Sequence, residues 1–207
     1  MGPEAGAPGG DADEVQDFAL TLIRSRENVS AKSLGEPGPS EAQLEAMLAA
    51  AAAAPDHGRL TPWRFIIVAR EQRHRLGEAF ALALLDRDPA ATPAQVEAAR
   101  AKAQRAPLLM VAVACLGQRE RDVPALERML SMGAAVQNLL LAAHAMGFGA
   151  GLTSGQAMAS ERMRRLCGLA EGEQAVCCIN IGTATARVPR KRVRPEPARF
   201  VTRLAED

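Results

Sequence analysis

The chain has 207 residues, 48% of them hydrophobic, and a formal net charge of +1. This length allows one domain with a substantial core and leaves little chain for a second. The balanced charge gives no global argument for binding nucleic acid or an anionic membrane surface, because both partners favour a basic excess gathered on one face.

The N-terminal segment is rich in Gly, Pro, Ala and acidic residues. It buries too little apolar surface to offset the entropy lost on ordering, so we predict that residues 1–12 are disordered. A signal peptide would instead begin with basic residues followed by an apolar run. No run in the sequence approaches the roughly 18 apolar residues that cross a bilayer. We therefore predict a cytoplasmic protein without membrane association.

Two helices are the first elements predicted along the chain. Apolar residues recur at helical spacing from Asp13 until near Arg26, which predicts the first helix. After a turn rich in proline and glycine, Ser40 and Gln43 have the spacing of a capping box that opens an alanine-rich helix. Pro55 ends this second helix, because a helix interior requires the backbone N–H that proline lacks.

A strand, two helices and a second strand are predicted next. The segment 64–69 is short, apolar and rich in β-branched residues, which favours a buried strand. A helix over 71–85 follows, and Thr92 before a proline predicts the cap of another helix that ends near Arg105. The segment 108–115 is apolar throughout, so we predict a strand covered on both faces.

The longest predicted helix begins after Pro124 and ends at Gly147. It carries an apolar stripe, and Gly133 within it would allow another backbone to approach closely, either in the core or across a dimer interface. Ser160 then caps a short helix, and the segment 174–182 is a third apolar strand. Strands and helices alternate irregularly, so the predicted fold class is α+β, in a single domain over 13–207 that ends in an extended C-terminal arm.

The residue pattern argues against several kinds of chemistry. Three widely spaced histidines without an H-x-x-x-H motif offer no metal site, and we predict none. The four cysteines lack C-x-x-C spacing, and Cys177 and Cys178 are neighbours that should point to opposite faces of a strand, so we predict no disulfide between them. The glycine-rich run 147–151 follows a helix, whereas a dinucleotide-binding fingerprint follows a strand. No G-x-S-x-G motif supports hydrolase chemistry.

The most informative segment is the loop 54–65, which joins the second helix to the first predicted strand and reads A-P-D-H…P-W-R-F. In this loop the chain resembles the nitroreductase family, in particular its minimal YdjA-like branch. The resemblance continues in an R…S…L-x-E-P segment over 26–37, a G-x-G…S-G segment over 147–155 and the strand exit Ile181-Gly182-Thr183. It covers residues 14–204 in one order and with similar spacing.

The resemblance implies a nitroreductase-like α+β fold with a central, mostly antiparallel sheet flanked by helices. It also implies a homodimer with FMN at the subunit interface. The implied function is an oxidoreductase that transfers hydride from NAD(P)H, its co-substrate, to a small acceptor such as a nitroaromatic or quinone by a ping-pong mechanism. Because the chemistry belongs to FMN, we assign no side chain a catalytic role.

The resemblance also implies which residues bind FMN. Arg26 would contact the phosphate through its charged donor fork, and Asn28 would replace a hydrogen-bonding serine of the family. Lys32 would add positive charge, and His57 would contact the flavin edge or the ribityl chain. The remaining implied contacts are Ala53 and Ala54 at the end of the second helix, Leu152, Thr153 and Ser154 in place of a W-R-S run, and Arg192 and Arg194 in the C-terminal arm.

Departures from the family pattern leave other functions open. Glu27 replaces a second arginine, and Leu152 and Thr153 replace an aromatic residue and a charged one. An alternative function is therefore a flavin-binding protein without turnover, acting as a carrier or sensor. A third hypothesis is nucleic-acid association through the basic run 187–194, although a run with prolines and no interleaved aromatic residue is more typical of a solvated or dimer-wrapping arm.

Several candidates also have a purely structural explanation. His57 could form only structural hydrogen bonds within its loop, and His144 could be a satisfied core or interface histidine. Arg26 could be a charge favoured at a helix C-terminus. Trp63 could anchor the core, whereas His74, on a charged helix, is expected to be solvated.

Overall fold

An antiparallel sheet of five strands forms the centre of the fold. The computed structural model of the chain describes residues 10–117, 123–185 and 193–204. The strands are β1 (Leu34–Gly35), β2 (Trp63–Ile67), β3 (Leu108–Cys115), β4 (Gly149–Thr153) and β5 (Glu173–Ala184). β3 lies between β2 and β5, and the other edge of β5 pairs with both β4 and β1.

Helices cover both faces of the sheet. They are α1 (Gly10–Ser25), α2 (Glu41–Ala52), α3 (Arg73–Arg87), α4 (Pro93–Arg100), α5 (Ala125–Ala145) and α6 (Glu161–Leu166). α2 and α5 pack on one face around Met47 and Leu139, whereas α3, α4 and α6 pack on the other around Leu76. Met110 and Val111 of β3 belong to opposite clusters, which confirms the prediction of a strand covered on both faces. None of the helices in the described ranges has the length and apolar character needed to cross a membrane.

Side-chain caps begin three of these helices at the predicted positions. Ser40 Oγ accepts from Gln43 N at 3.3 Å and Gln43 Oε1 accepts from Ser40 N at 2.9 Å, which completes the predicted capping box. Thr92 and Gln95 form a second box, and Ser160 caps α6. These side chains satisfy backbone N–H groups that the first helical turn leaves without a partner.

Some element boundaries differ from the predictions. α1 begins at Gly10, so residues 10–12 of the segment predicted to be disordered belong to its first turn. α4 ends at Arg100 and continues as a 3₁₀ turn over 101–104. β1 and β4 were not predicted. β1 has only two residues, which is too short to show a periodicity, and the Gly-Ala-Gly start of β4 has low strand propensity. Pairing with β5 makes both segments strands.

The cysteines behave as buried apolar residues. Cys177 packs in the cluster on the α5 face and Cys178 in the cluster on the α3 face, and both are free thiols. Burial raises the pKa of Cys177 to about 11 and that of Cys178 to about 12. The prediction of opposite faces and no disulfide is confirmed, and neither thiol forms a reactive thiolate near neutral pH.

An ion pair connects β2 to the start of β5. Arg64 Nη2 lies 2.8 Å from Glu173 Oε2 and Arg64 Nε lies 3.0 Å from Glu173 Oε1. The Glu173 side chain is 8% exposed and that of Arg64 is 37% exposed. Hydrogen bonding from Arg64 lowers the pKa of Glu173 from 4.5 to about 2.

This pKa predicts how the stability of the fold depends on pH. A carboxyl with a lower pKa in the folded state stabilises the fold above its unfolded pKa, so the contribution is present above pH 4.5 and is lost as the pH falls towards 2. We expect Glu173→Gln to reduce the free energy of unfolding by about 2 kcal/mol at neutral pH. This value is smaller than the free energy that corresponds to the whole pKa shift, because Arg64 is partly solvated. Denaturation curves should converge for the two proteins near pH 2. A constant difference from pH 7 to pH 2 would contradict this assignment.

Candidate functional site

A segment between α1 and α2 runs along the edge strand β4. Residues 26–33 form this segment, which we call the strap. Val29 N donates to Ala150 O at 2.9 Å, and Leu152 N donates to Asn28 Oδ1 at 3.3 Å. The strap therefore brings together two of the predicted site residues, Asn28 and Leu152.

The close approach of the strap to β4 depends on Gly151. A Cβ atom at this position would lie 2.1 Å from Val29 O, far inside van der Waals contact. Glycine is required here because a second backbone occupies the space of a side chain. Any larger residue would push the strap away from β4.

Positive charge gathers where the strap begins. Arg194 Nη2 donates to the carbonyl oxygens of Arg26 at 2.9 Å and Arg24 at 3.4 Å, which places its guanidinium group against the backbone of the strap. Arg26 is half-buried, whereas Arg194, Lys32 and Glu27 are exposed. Arginine side chains in such a setting favour an anionic group such as a phosphate.

Hydrogen bonds from β5 hold the end of β4. Asn180 is 1% exposed and donates from Nδ2 to Thr153 Oγ1 at 3.0 Å and to Gly151 O at 3.3 Å. Ser154 Oγ donates to Val176 O at 2.8 Å. The sequence reasoning missed Asn180, although an asparagine within an otherwise apolar strand signals a buried hydrogen bond. Asn180 is a positioning residue for Thr153.

We expect Asn180→Leu to reduce the free energy of unfolding by about 2 kcal/mol, because the substitution removes the buried donor that Thr153 Oγ1 and Gly151 O share. Thr153→Val removes one of these two acceptors and should cost about 1 kcal/mol. Urea denaturation measures both values. A smaller loss for Asn180→Leu than for Thr153→Val would show that Asn180 does not hold the end of β4.

A cavity of about 590 Å³ opens beside Thr153 and Ser154. Ala31 of the strap lines it, and Phe80 of α3 and Leu109 of β3 contribute apolar surface. Small-molecule pockets have volumes of roughly 300–1,000 Å³. The predicted residues at the end of β4 therefore border a space large enough for a substrate or part of a cofactor.

The predicted residues Ala53 and Ala54 directly follow α2, and His57 begins a 3₁₀ turn in the loop after them. Ala54 is buried against the core, whereas Ala53 is exposed. His57 Nδ1 lies 2.6 Å from Glu127 Oε2 of α5, and these side chains are 70% and 46% exposed. The carboxylate orients the imidazole and leaves most of it accessible to solvent. Glu127 is a second residue that the sequence reasoning missed.

Backbone strain marks the loop that carries His57. Arg59 and Thr61 have φ angles of 56° and 45°, in the left-handed region that residues other than glycine rarely adopt. Asp56 Oδ2 accepts a 2.6 Å hydrogen bond from Thr61 N and holds this conformation. Strained backbone of this kind is concentrated at functional sites, which agrees with the importance that the sequence gives this loop.

Within one copy of the chain, the described hydrogen bonds do not connect the strap with the loop that carries His57. The strap is bonded to β4 and to the C-terminal arm, whereas the His57 loop is bonded to α5. Arg192 and the other basic positions between 187 and 191 lie outside the described residues, so the predicted role of Arg192 stays a prediction.

The other two histidines and the tryptophan make structural contacts. His144 is half-buried and its Nε2 lies 2.8 Å from Ser25 Oγ, which joins α5 to the end of α1, as expected for a satisfied histidine. His74 is exposed, with its Nδ1 2.7 Å from Glu71 O. Trp63 is 7% exposed and belongs to the core cluster on the α5 face, which confirms it as a core anchor.

α1 and α5 present large apolar side chains to solvent. On α1, Phe18 is 66% exposed and Ile23 is 52% exposed, and on α5 Leu126 and Leu130 are 82% and 75% exposed. Gly133 is also exposed on α5, and no atom of the described residues lies within 4 Å of an added Cβ there. Several large apolar side chains exposed on two helices that contact each other are typical of an interaction site. We call this site the α1–α5 surface.

The sequence profile of the nitroreductase family matches residues 23–183. A Haemophilus influenzae protein provisionally named NAD(P)H nitroreductase is 34% identical over 186 residues, which are 90% of this chain and 99% of that protein. The similarly named Escherichia coli YdjA is 34% identical over 187 residues, covering 89% and 98% of the two chains.

Solved structures show the same fold. A nitroreductase-like family protein from Bacillus cereus superposes with a TM-score of 0.77 at 20% identity, covering 90% of this chain and 96% of that one. A point mutant of NfnB, an FMN- and NADPH-dependent nitroreductase from sphigopyxis sp. strain HMH, gives a TM-score of 0.69 at 18% identity, covering 91% and 99%. These matches confirm the predicted α+β architecture, with an antiparallel sheet flanked by helices.

Proposed function

The chain belongs to the nitroreductase family, and from this premise we propose that it is an FMN-dependent oxidoreductase that passes hydride from NAD(P)H to a small acceptor such as a nitroaromatic or quinone. The observation that carries the proposal is the junction of the strap, the end of β4 and the C-terminal arm beside a cavity of about 590 Å³. The names of two relatives support NAD(P)H as the hydride donor, and the name of a structural neighbour supports FMN as the cofactor.

The residues present fit the chemical groups of FMN. The guanidinium groups of Arg26 and Arg194 suit its phosphate, and Asn28, whose Oδ1 holds Leu152 N, has an amide Nδ2 that can donate to a hydroxyl of the ribityl chain. Thr153 and Ser154 are fixed by bonds to β5 and lie where the edge of the flavin ring would meet the cavity, so they could orient the ring without filling that space.

Bound FMN would supply the redox chemistry, accepting hydride from NAD(P)H and returning it to the acceptor in a ping-pong sequence. The protein holds the phosphate at the strap and orients groups at the end of β4. No side chain is assigned a proton transfer, since water can provide the proton that the acceptor takes up.

The visible spectrum of the purified full chain supplied with FMN tests this function. We expect uptake of flavin and anaerobic bleaching of its absorbance by NADPH or NADH, followed by reoxidation with a nitroaromatic or quinone. Flavin that binds but is not bleached by either nucleotide would favour the carrier or sensor. Failure to take up flavin would overturn both functions.

We also propose that the chain forms a homodimer through the α1–α5 surface, with FMN at the interface. The exposed apolar residues on these helices support association. Within one copy, the strap is bonded to β4 and the His57 loop is bonded to α5, so a second copy could supply the His57 loop that faces the strap. Two half-sites would then complete each other.

Leu130→Glu is expected to shift the protein from dimer to monomer, because a charge would replace an apolar side chain at the interface, at a cost of several kcal/mol for the pair. Light scattering after size exclusion measures the mass. Ile67→Glu, on the edge strand β2 where Ile67 is 49% exposed, is the matched control and should leave the mass unchanged. A Leu130→Glu variant that stays dimeric would exclude this surface as the interface.

A further inference from the structure

One wall of the cavity beside Thr153 and Ser154 is strongly cationic. Arg87 at the end of α3 and Lys102 and Arg105 after α4 all line it, and no aspartate or glutamate of the described residues does so. The described lining therefore carries positive charge that no acidic lining residue offsets, and its largely apolar, partly enclosed surroundings strengthen the resulting potential relative to bulk water.

These three cations differ from the other basic residues around them. Arg64, Arg100 and Arg162 each pair with a carboxylate at 2.8–2.9 Å. In contrast, among the residues that the structure describes, the charged groups of Arg87, Lys102 and Arg105 contact no acidic side chain within ion-pair distance. Their charge is available to a ligand.

Apolar side chains form much of the rest of the cavity. Phe80, Leu84, Leu109 and Met158 contribute its aromatic and aliphatic surface. A ligand that matches both features has a flat, apolar body and one anionic group. Arg26 and Arg194, which would hold the phosphate of FMN, do not line this cavity, so its cations are left for a different anion.

We propose that the cavity is an acceptor site selective for an aromatic carboxylate, with Arg87, Lys102 and Arg105 binding the carboxylate. The proposal rests on the proposed function and names its substrate class. With 4-nitrobenzoate as probe, the reaction consumes NAD(P)H and one proton and yields 4-nitrosobenzoate, water and NAD(P)⁺, so two electrons and two protons reach the nitro group.

Binding is tested first, without turnover, by calorimetric titration of the FMN-loaded protein with benzoate and with the neutral benzamide. We expect benzoate to bind about tenfold more tightly, since each partly exposed ion pair contributes up to about fivefold. Replacing Arg87, Lys102 and Arg105 together with Gln should abolish this preference. The matched control is Arg75→Gln, an exposed arginine of α3 that does not line the cavity, which should keep it.

Steady-state kinetics then compares 4-nitrobenzoate with 4-nitrobenzamide. We expect the ratio of their kcat/KM values to fall about tenfold in the triple variant and to decrease with added salt, while nitrobenzamide reduction changes less than about twofold. Turnover of neither compound, despite selective benzoate binding, would refute the proposed function and the acceptor role but not the carboxylate site.

Three results would overturn the carboxylate site itself. Equal binding of benzoate and benzamide by the unmodified protein would remove its basis. A triple variant that loses affinity for FMN would show that the cations serve the cofactor phosphate. A triple variant that raises the KM for NADPH but not for NADH, with the benzoate preference intact, would assign the cations to the 2′-phosphate of the nucleotide.

Discussion

Replacing Arg26 with alanine is expected to weaken FMN binding about 100-fold while leaving riboflavin binding nearly unchanged. A guanidinium group that donates charge-assisted hydrogen bonds to a phosphate contributes about 1.5–3 kcal/mol, and riboflavin has no phosphate. Arg26→Lys keeps the charge but loses the donor fork, so it should lose about tenfold. Fluorescence titration with the two flavins measures the affinities.

Arg24→Ala is the matched control for this prediction. Arg24 has the same charge and lies two residues away on α1, where its backbone carbonyl contacts Arg194 as that of Arg26 does. Its removal should leave FMN affinity within about threefold, as expected for a solvated charge. Equal weakening of FMN and riboflavin by Arg26→Ala would show that Arg26 shapes the strap instead of binding the phosphate.

Gly151→Ala should destabilise the protein by about 3 kcal/mol and abolish FMN binding. The added Cβ would lie 2.1 Å from Val29 O, so the strap must move away from β4 and lose its bonds to Ala150 and Leu152. Inserting a methyl group where no space exists typically costs about 1–3 kcal/mol, and backbone atoms can yield less than side chains. Thermal denaturation and flavin titration measure the two effects.

Gly149→Ala in the same strand separates strap displacement from a general effect of alanine in β4. Its added Cβ would meet only side-chain atoms, the nearest being Leu34 Cδ2 at 2.9 Å, which can move. We expect a loss of about 1 kcal/mol and retained FMN binding. If Gly149→Ala reduced stability and FMN affinity as much as Gly151→Ala, displacement of the strap would not explain the effects of Gly151→Ala.

The helices and the central strand were predictable because their signals are local. Ser40 with Gln43 and Thr92 before proline mark helix starts within four residues, and these caps form as expected. The uniformly apolar run 108–115 became β3 with the predicted bounds. Interactions that depend on nearby residues in the chain can be read without knowing the fold.

The pairing of β4 was not predictable from its own residues. Gly-Ala-Gly-Leu-Thr has no strand periodicity, and it becomes a strand because Asn180 and its neighbours on β5 lie alongside it. The ion pair of Arg64 with Glu173 joins positions 109 residues apart, and the bond between His57 and Glu127 joins positions 70 residues apart. No local pattern indicates which distant residues will meet.

The sequence by itself determined the α+β fold class, the helix caps, the placement of Cys177 and Cys178 on opposite faces of a strand and the likeness to the nitroreductase family. It also marked Arg26, Asn28 and the residues after Gly151 as candidates. Only the tertiary structure decided that the strap and β4 are in contact, that Asn180 holds Thr153, and that Arg87, Lys102 and Arg105 share one cavity. The physical reason is that caps and apolar patterns act over a few residues, whereas a binding site is assembled by packing between segments far apart in the chain.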